Sequence, residues 1–416
     1  MEYKKVRAFL LENNACDHCI GRQFRGLFSG YESVEIGAAV RQAESLDKAK
    51  EIIGKTDKIL EECKYCDSIF TVMPSLVQEA EKKAEEWEHE TFLVGSRISD
   101  DLVLLEEKLW ESIGAENCEP LKREANRLAG KMYSEHTGKK AEFVYPDISF
   151  VLDYVSHNVE MTVHSLYVYG RYKKLVRGIP QTRWPCRECR GTGKYTDAFG
   201  EEKPCPKCNG KGKMYTESVE ELIGEKMKEY FQAEDAILHG AGREDIDARM
   251  LGTGRPFVME MIRPHKRTFD PEVLEKLINS EKVIVSGLRR STKQELVELK
   301  AAEYKKKYRV LIEFSEPVTE EDLEKIEKTF DNLTVKQKTP TRVSHRRADR
   351  IRKRKVFSVN LSRASENTVE AEIVTASGTY VKELVSGDEG RTSPSFSSVT
   401  EKKCAVKELD VLEVGE

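Results

Sequence analysis

Eight of the ten cysteines in this 416-residue chain fall into four Cys-x-x-Cys pairs, at 16/19, 63/66, 186/189 and 205/208. A two-residue gap lets one tight turn aim two thiolates at the same ion, and two such turns complete a tetrahedral zinc site. The fold must therefore bring distant knuckles together, whatever core it builds. Cys189 and Cys205 are separated by 15 residues, inside the usual zinc-ribbon window. Cys19 and Cys63 are separated by 43, a looser spacing for one site. Two structural zinc ions are expected, one held by Cys16, Cys19, Cys63 and Cys66, the other by Cys186, Cys189, Cys205 and Cys208. A redox reading would need a thioredoxin-like βαβ context that is not seen. Cys118 and Cys404 stand alone and read as small core residues.

Both knuckles of the second set continue as Cys-x-x-Cys-x-Gly-x-Gly, through Gly191 and Gly193 and through Gly210 and Gly212. Glycine permits positive φ there and clears room for backbone N–H groups to face the sulfurs. These knuckles resemble the cysteine-rich repeats of DnaJ-type chaperones. There are two of them instead of four, however, and no His-Pro-Asp signature accompanies them.

Charged residues make up 34% of the chain and hydrophobic ones 39%, with 13 prolines, which describes a globular protein. The length predicts two or three domains. No apolar run is long enough to span a bilayer, and the N-terminus lacks a signal-peptide pattern, so a cytoplasmic protein with no membrane partner is expected. Net charge is −4, yet eight of the fourteen residues from Arg342 to Lys355 are Arg or Lys, six of them Arg. Smaller clusters lie at Arg171–Lys174 and Arg263–Arg267. A locally basic surface on an acidic chain suits a polyanion that must be positioned, since phosphates respond to local charge. Any single cluster could equally be a solvated face.

Helical periodicity is read over Glu2–Glu12, Val40–Leu60, Pro74–Trp87 and Glu119–His136. Strand-like runs follow at 91–94, 143–144, 149–152, 159–163 and 165–169. Ser218 and Glu221 form a capping-box start for a further helix. Beyond it strands predominate, at 255–263, 282–288, 304–314, 333–340, 355–363, 368–376 and 404–414, with helices near 271–280 and 319–331. The fold class is α+β, with a mixed or antiparallel sheet in the C-terminal half.

The turn Gly242–Arg249 concentrates charge: Arg243, Glu244, Asp245, Asp247 and Arg249. Composition alone favours a surface turn with Arg–Asp pairing. Gly252-Thr253-Gly254-Arg255 lacks the Gly-Lys-Ser/Thr of a phosphate loop and precedes a strand, so no nucleotide cofactor is expected.

Several runs together resemble the archaeal member of the tRNA pseudouridine synthase family that modifies uridines 54 and 55 in the TΨC arm. Cys16–Phe24 resembles that family's N-terminal zinc module. Residues 146–172 and Gly178–Thr182 resemble its THUMP-type RNA-binding region. Gly242–Glu260, Lys307–Arg309, Thr339–Arg347, Gly378–Leu384 and Ser386–Thr392 resemble its catalytic half. The chain is expected to divide into a zinc module at 1–72, a region at 73–185 that the resemblance marks as THUMP-type, a four-cysteine zinc-ribbon insertion at 186–213 read from the cysteine spacing, and a catalytic domain at 214–416 that the resemblance implies. The insertion is not a feature associated with every family member.

The resemblance also implies roles. The register Arg243-Glu244-Asp245 makes Asp245 the nucleophile; Asp247 would face another way and pair with Arg249. Tyr308 would stack on the flipped base, Lys382 would pair with Asp245, and Tyr380 and Leu384 would line the pocket floor. Arg342, His345, Arg346 and Arg347 would form a basic loop pressed into the RNA. tRNA is the implied partner, and no cofactor is needed for catalysis. Two other readings use the same residues, a non-catalytic RNA-binding or RNA-chaperone protein and a DnaJ-like chaperone. Neither explains Asp245, Tyr308 and Lys382 in their separate matching runs.

Overall fold

The computed structural model describes residues 3–58, 62–197 and 199–415, which gather into two compact units, Met1–His164 and Ser165–Glu416. In the first unit, helix Tyr3–Glu12 buries Val6 and Leu10. Helices Asp17–Gln23 and Ser33–Gln42 then cross at two glycines. A Cβ on Gly21 would fall 1.7 Å from the Ser33 carbonyl oxygen, and one on Gly37 1.8 Å from that of Asp17. Only glycine permits this approach.

The helix expected over 40–60 is two elements. Ser33–Gln42 ends, and Ser45 caps a new helix, Leu46–Ile52, by accepting the Lys48 N–H at 3.3 Å. A serine at that position competes for backbone donors and resets the chain. Glu2 and Leu60 lie outside the described residues. The helix read from Pro74 begins earlier, at Ile69, with Pro74 inside it.

A four-stranded sheet completes this unit, in the order Lys140–Ala141, Thr91–Arg97, Ile148–Asp153, Asn158–Val163. Thr91–Arg97 runs parallel to Ile148–Asp153, which demands a long crossover. Helices Asp100–Ile113 and Leu121–Thr137 supply it. The first of these is missing from the sequence reading, although Ser99 caps it and Leu102, Leu109 and Ile113 are buried along it. Phe143 and Val144, expected in a strand, are 79% and 69% exposed beyond the short strand Lys140–Ala141. Their β-propensity finds no partner strand to satisfy it.

The second unit is built on a ten-stranded mixed sheet. Its order is Val283–Ser291, Leu166–Lys174, Arg249–Ile262, Cys404–Gly415, Lys305–Phe314, Thr368–Thr375, Ile351–Arg363, Thr334–Lys338 and Thr392–Ser393, with Asp235–Gly240 pairing on Arg249–Ile262. Cys404–Gly415 lies parallel to Arg249–Ile262 through Asp410↔Arg249 and Val411↔Met250. Strand Leu166–Lys174 alternates buried and half-buried residues between two partners, so it is internal to this sheet. The sequence reading carries the RNA-binding region through to 185; by contacts, residues from Ser165 onward belong with the second unit. Helices Val219–Phe231, Pro271–Ile278 and Glu320–Phe330 bury Ile223, Leu274 and Ile326 into one core. Helix Lys293–Ala301, which the sequence reading does not include, carries Leu296 and Leu299 into it.

Candidate active site

The Gly242–Ala248 turn lies over a buried charged network, an arrangement that composition does not suggest. Arg255 Nε meets Glu244 Oε2 at 2.9 Å, with both side chains almost wholly removed from water. The Tyr172 hydroxyl donates to the Glu244 carboxylate at 2.9 Å, and Gln181 Nε2 donates to the Tyr172 oxygen at 2.8 Å and to the Gly242 carbonyl at 2.9 Å. Arg255 also donates to the Ala241 carbonyl at 2.6 Å. Lys174 donates to the carbonyls of Ile179, Asp245 and Ile246 at 3.0, 3.2 and 3.2 Å. A buried charge is tolerated only when paired and hydrogen-bonded, so this network fixes the turn in one conformation. Asp245 stands on a rigid support.

Above that support is a cleft of about 620 Å³, a size suited to a small ligand or a single nucleotide. Asp245, Tyr308, Lys382, Tyr380, Arg342 and Arg347 all line it. Asp245 presents one carboxylate oxygen to Arg342 Nη1 at 3.2 Å and the other to Lys382 Nζ at 3.7 Å. Arg342 is itself held by Glu383, Nε to Oε1, at 2.7 Å. Lys382 sits in the first turn of helix Val381–Ser386. Tyr308 projects from strand Lys305–Phe314 and is only 8% exposed; burial, reinforced by the nearby Asp245 charge, pushes its pKa up to about 12. The phenol therefore keeps its proton at neutral pH. Arg347 donates to the Tyr380 hydroxyl at 2.8 Å.

Three expectations change. Asp247 does not pair with Arg249: it meets Lys382 Nζ at 2.6 Å, closer than Asp245 does, while Arg249 binds Asp410. Burial acts against the Asp247 charge, but the Lys382 bond outweighs it and holds the carboxyl below its ordinary range. Leu384 is fully buried in the core and absent from the cleft lining, because helix Val381–Ser386 turns it inward; Val381 lines the cleft instead. Arg342 does not project freely toward a ligand, since two carboxylates engage it. The side chains of His345 and Arg346 lie outside the described part of the structure; their backbone is in the 3₁₀ turn Thr341–Arg346.

The sequence reading also missed cleft residues. Trp184 lines the cleft just before the first ribbon cysteine, with the Arg243 guanidinium 5.2 Å from its ring centroid. Lys306 and Arg255 line it as well. The alternation of strand Lys305–Phe314 was the available signal for Lys306, because it shares a face with Tyr308.

Both cysteine sets assemble as expected. In each, four buried sulfurs lie within 4.8 Å of one another. Zn–S bonds of about 2.3 Å in a tetrahedron put sulfurs about 3.8 Å apart. Cys16 and Cys66 sulfurs are 3.7 Å apart, Cys186 and Cys205 4.0 Å, Cys189 and Cys208 3.7 Å. Gly193 and Gly212 donate backbone N–H groups to Cys189 and Cys208, each at 3.2 Å. The donor sets fit zinc, whose role there would be to close the loops.

A family model described as the archaeal Pus10 THUMP domain matches residues 76–153. The chain is thus a THUMP-domain protein whose second unit carries a carboxylate-centred cleft. The Pus10 C-terminal family model matches residues 167–415. A relative from Methanothrix thermoacetophila, named tRNA pseudouridine synthase Pus10, is 40% identical over 96% of this chain and 91% of its own length. Proteins with the same name from Methanocaldococcus jannaschii and Pyrococcus furiosus are 39% and 37% identical, over 96% and 100% of this chain and 91% and 98% of their own lengths. The chain belongs to the Pus10 family.

Proposed function

We propose that this chain, as a Pus10-family tRNA pseudouridine synthase, isomerises uridine at positions 54 and/or 55 of tRNA with Asp245 as the nucleophile. The observation that carries the reading is the Asp245 carboxylate, set on a rigid turn between Arg342 and Lys382 in a cleft that Tyr308 also lines. The target uridine leaves its stack and enters the cleft. Asp245 acts on the ribose, the N1–C1′ bond breaks, the base turns, and C5 joins C1′. Tyr308 offers a ring for the base to stack on and a phenol that retains its proton. Lys382 and Arg342 position the carboxylate at the cleft, and Tyr380 lines the wall. Leu384 supports that wall from the core.

Arg347, with His345 and Arg346 beside it in sequence, supplies the basic loop that meets the RNA backbone. The module at 1–72, the THUMP-type region and the ribbon at 186–213 add tRNA-docking surface, with structural zinc in both cysteine sets and no cofactor in the chemistry. Among the described residues, no helix is long and apolar enough to cross a membrane. Carbodiimide primer extension on tRNA transcripts tests the reading. Stops are expected at 54, 55 or both, each abolished when cytidine replaces that uridine. Their absence with wild-type protein would instead favour an RNA-binding protein without catalysis.

A further inference from the structure

Six cations among the described residues line the cleft: Arg243, Arg255, Lys306, Arg342, Arg347 and Lys382. Three have carboxylates: Glu244 for Arg255, Glu383 and Asp245 for Arg342, Asp247 and Asp245 for Lys382. Lys306 has none. Among the described residues its side chain makes no hydrogen bond or ion pair, although the residue is only 8% exposed. It lies two residues before Tyr308 on the same face of strand Lys305–Phe314, so both side chains point at the cleft.

Its position is made possible by Gly242, whose φ is +79°. A Cβ there would stand 2.9 Å from Lys306 Nζ and 3.4 Å from Arg255 Nη1. The strand residues opposite Lys306 are Thr375 and Val414, neither charged. The charged groups that face it are Arg255 and Glu244, and Tyr308 is its titratable neighbour on the same strand. Burial, then the Arg255 charge, lower its pKa to about 8, with Glu244 acting in the opposite sense. An ammonium withdrawn from water without an acceptor is costly. An acceptor brought by the ligand would remove that cost.

We propose that Lys306 is a further catalytic residue, donating a hydrogen bond to a carbonyl oxygen of the target uracil and stabilising the negative charge on the detached base. The inference rests on the proposed isomerisation. When the N1–C1′ bond breaks, its electron pair stays on the base and spreads over N1, O2 and O4. Lys306 stabilises that anion from a fixed position in a partly dry site, where such a donor is worth most. Once C5 has bonded to C1′, the C5 proton departs and N1 takes one up. The charge is then gone, and the product is an isomer of the substrate.

The test is single-turnover pseudouridine formation by the full chain on a tRNA transcript, with Lys306→Gln and Lys306→Arg, alongside tRNA binding and melting temperature. Lys306→Gln, which removes the charge while its amide can still donate, is expected to slow the step about 10-fold, below the scale of losing an oxyanion donor outright, with tRNA affinity unchanged. Lys306→Arg, which keeps the charge, is expected to restore most of the rate. The wild-type rate should fall as pH rises through about 8, where the ammonium deprotonates, and this fall should be absent in Lys306→Arg. Lys306→Gln within about threefold of wild type would overturn the inference. So would equal losses in both variants accompanied by lower melting temperatures. Both results presuppose an active enzyme that depends on Asp245; a wild type with no activity would overturn the proposed function itself.

Discussion

Replacing Glu244 with Gln isolates the support beneath the active-site turn. The substitution keeps the shape and removes one charge. Arg255 then remains 1% exposed with its guanidinium no longer balanced, while the Ala241 carbonyl at 2.6 Å still accepts a hydrogen bond from it. Breaking a buried ion pair from one side costs about 3–5 kcal/mol, most of it the desolvation of the stranded partner. In a unit of this size, about 2–4 °C of melting temperature per kcal/mol translates that into a drop of about 6–20 °C. Hydrogen exchange of the slow amides in strand Arg249–Ile262 reads the second unit separately from the first. The double variant Glu244→Met with Arg255→Met removes both charges and should recover much of the loss, since apolar replacement of a buried pair is often near neutral. A Glu244→Gln cost below about 1 kcal/mol, or a double variant worse than the sum of the singles, would refute the reasoning.

Three further outcomes are expected. Metal analysis should find about two zinc ions per chain, and Cys205→Ser should lose one while leaving the Cys16 set loaded; a single ion in wild type would mean that one set is misread. Gly21→Ala should unfold the first zinc module and lower its zinc content, because the new methyl would have to fit 1.7 Å from the Ser33 carbonyl oxygen; normal zinc in a folded variant would contradict the crossing. Asp410 is held below the ordinary carboxylate range; burial acts against this, but hydrogen bonds from Arg249 and Arg309 and the charge of Arg177 outweigh it. Its contribution is present above the unfolded pKa, about 4, and is lost as pH falls through the lower folded value. The stability gap between wild type and Asp410→Asn should therefore shrink in acid, and a gap independent of pH would argue against the pairing.

The parts of this molecule that follow local rules were legible. Knuckle spacing set both cysteine clusters, and alternation located most strands of the large sheet. Asp245, Tyr308 and Lys382 came from separate runs matched as a pattern, and the fold brings them to one cleft. What failed depended on tertiary choice. Asp247 and Arg249 lie two residues apart, yet their partners, Lys382 and Asp410, come from elements more than a hundred residues away. Leu384 reads equally as wall or core until the helix direction is known. Glu244, Arg255, Tyr172 and Lys174 look like surface residues by type, and their burial is legible only when the strands carrying them are paired. Helix Asp100–Ile113 was hidden among acidic residues, with Glu106 itself buried against Arg22.

The proposed function requires that Asp245, not its neighbour Asp247, performs the chemistry. Single-turnover pseudouridine formation by Asp245→Asn and Asp247→Asn, on the same tRNA transcript and with binding measured in parallel, tests it most directly. Asp245→Asn is expected to bind tRNA and to form no pseudouridine. Asp247→Asn, which loses the charge paired with Lys382 but leaves the Arg342 contact to Asp245, should stay active at a reduced rate. Pseudouridine formed by Asp245→Asn, with Asp247→Asn inactive, would contradict it.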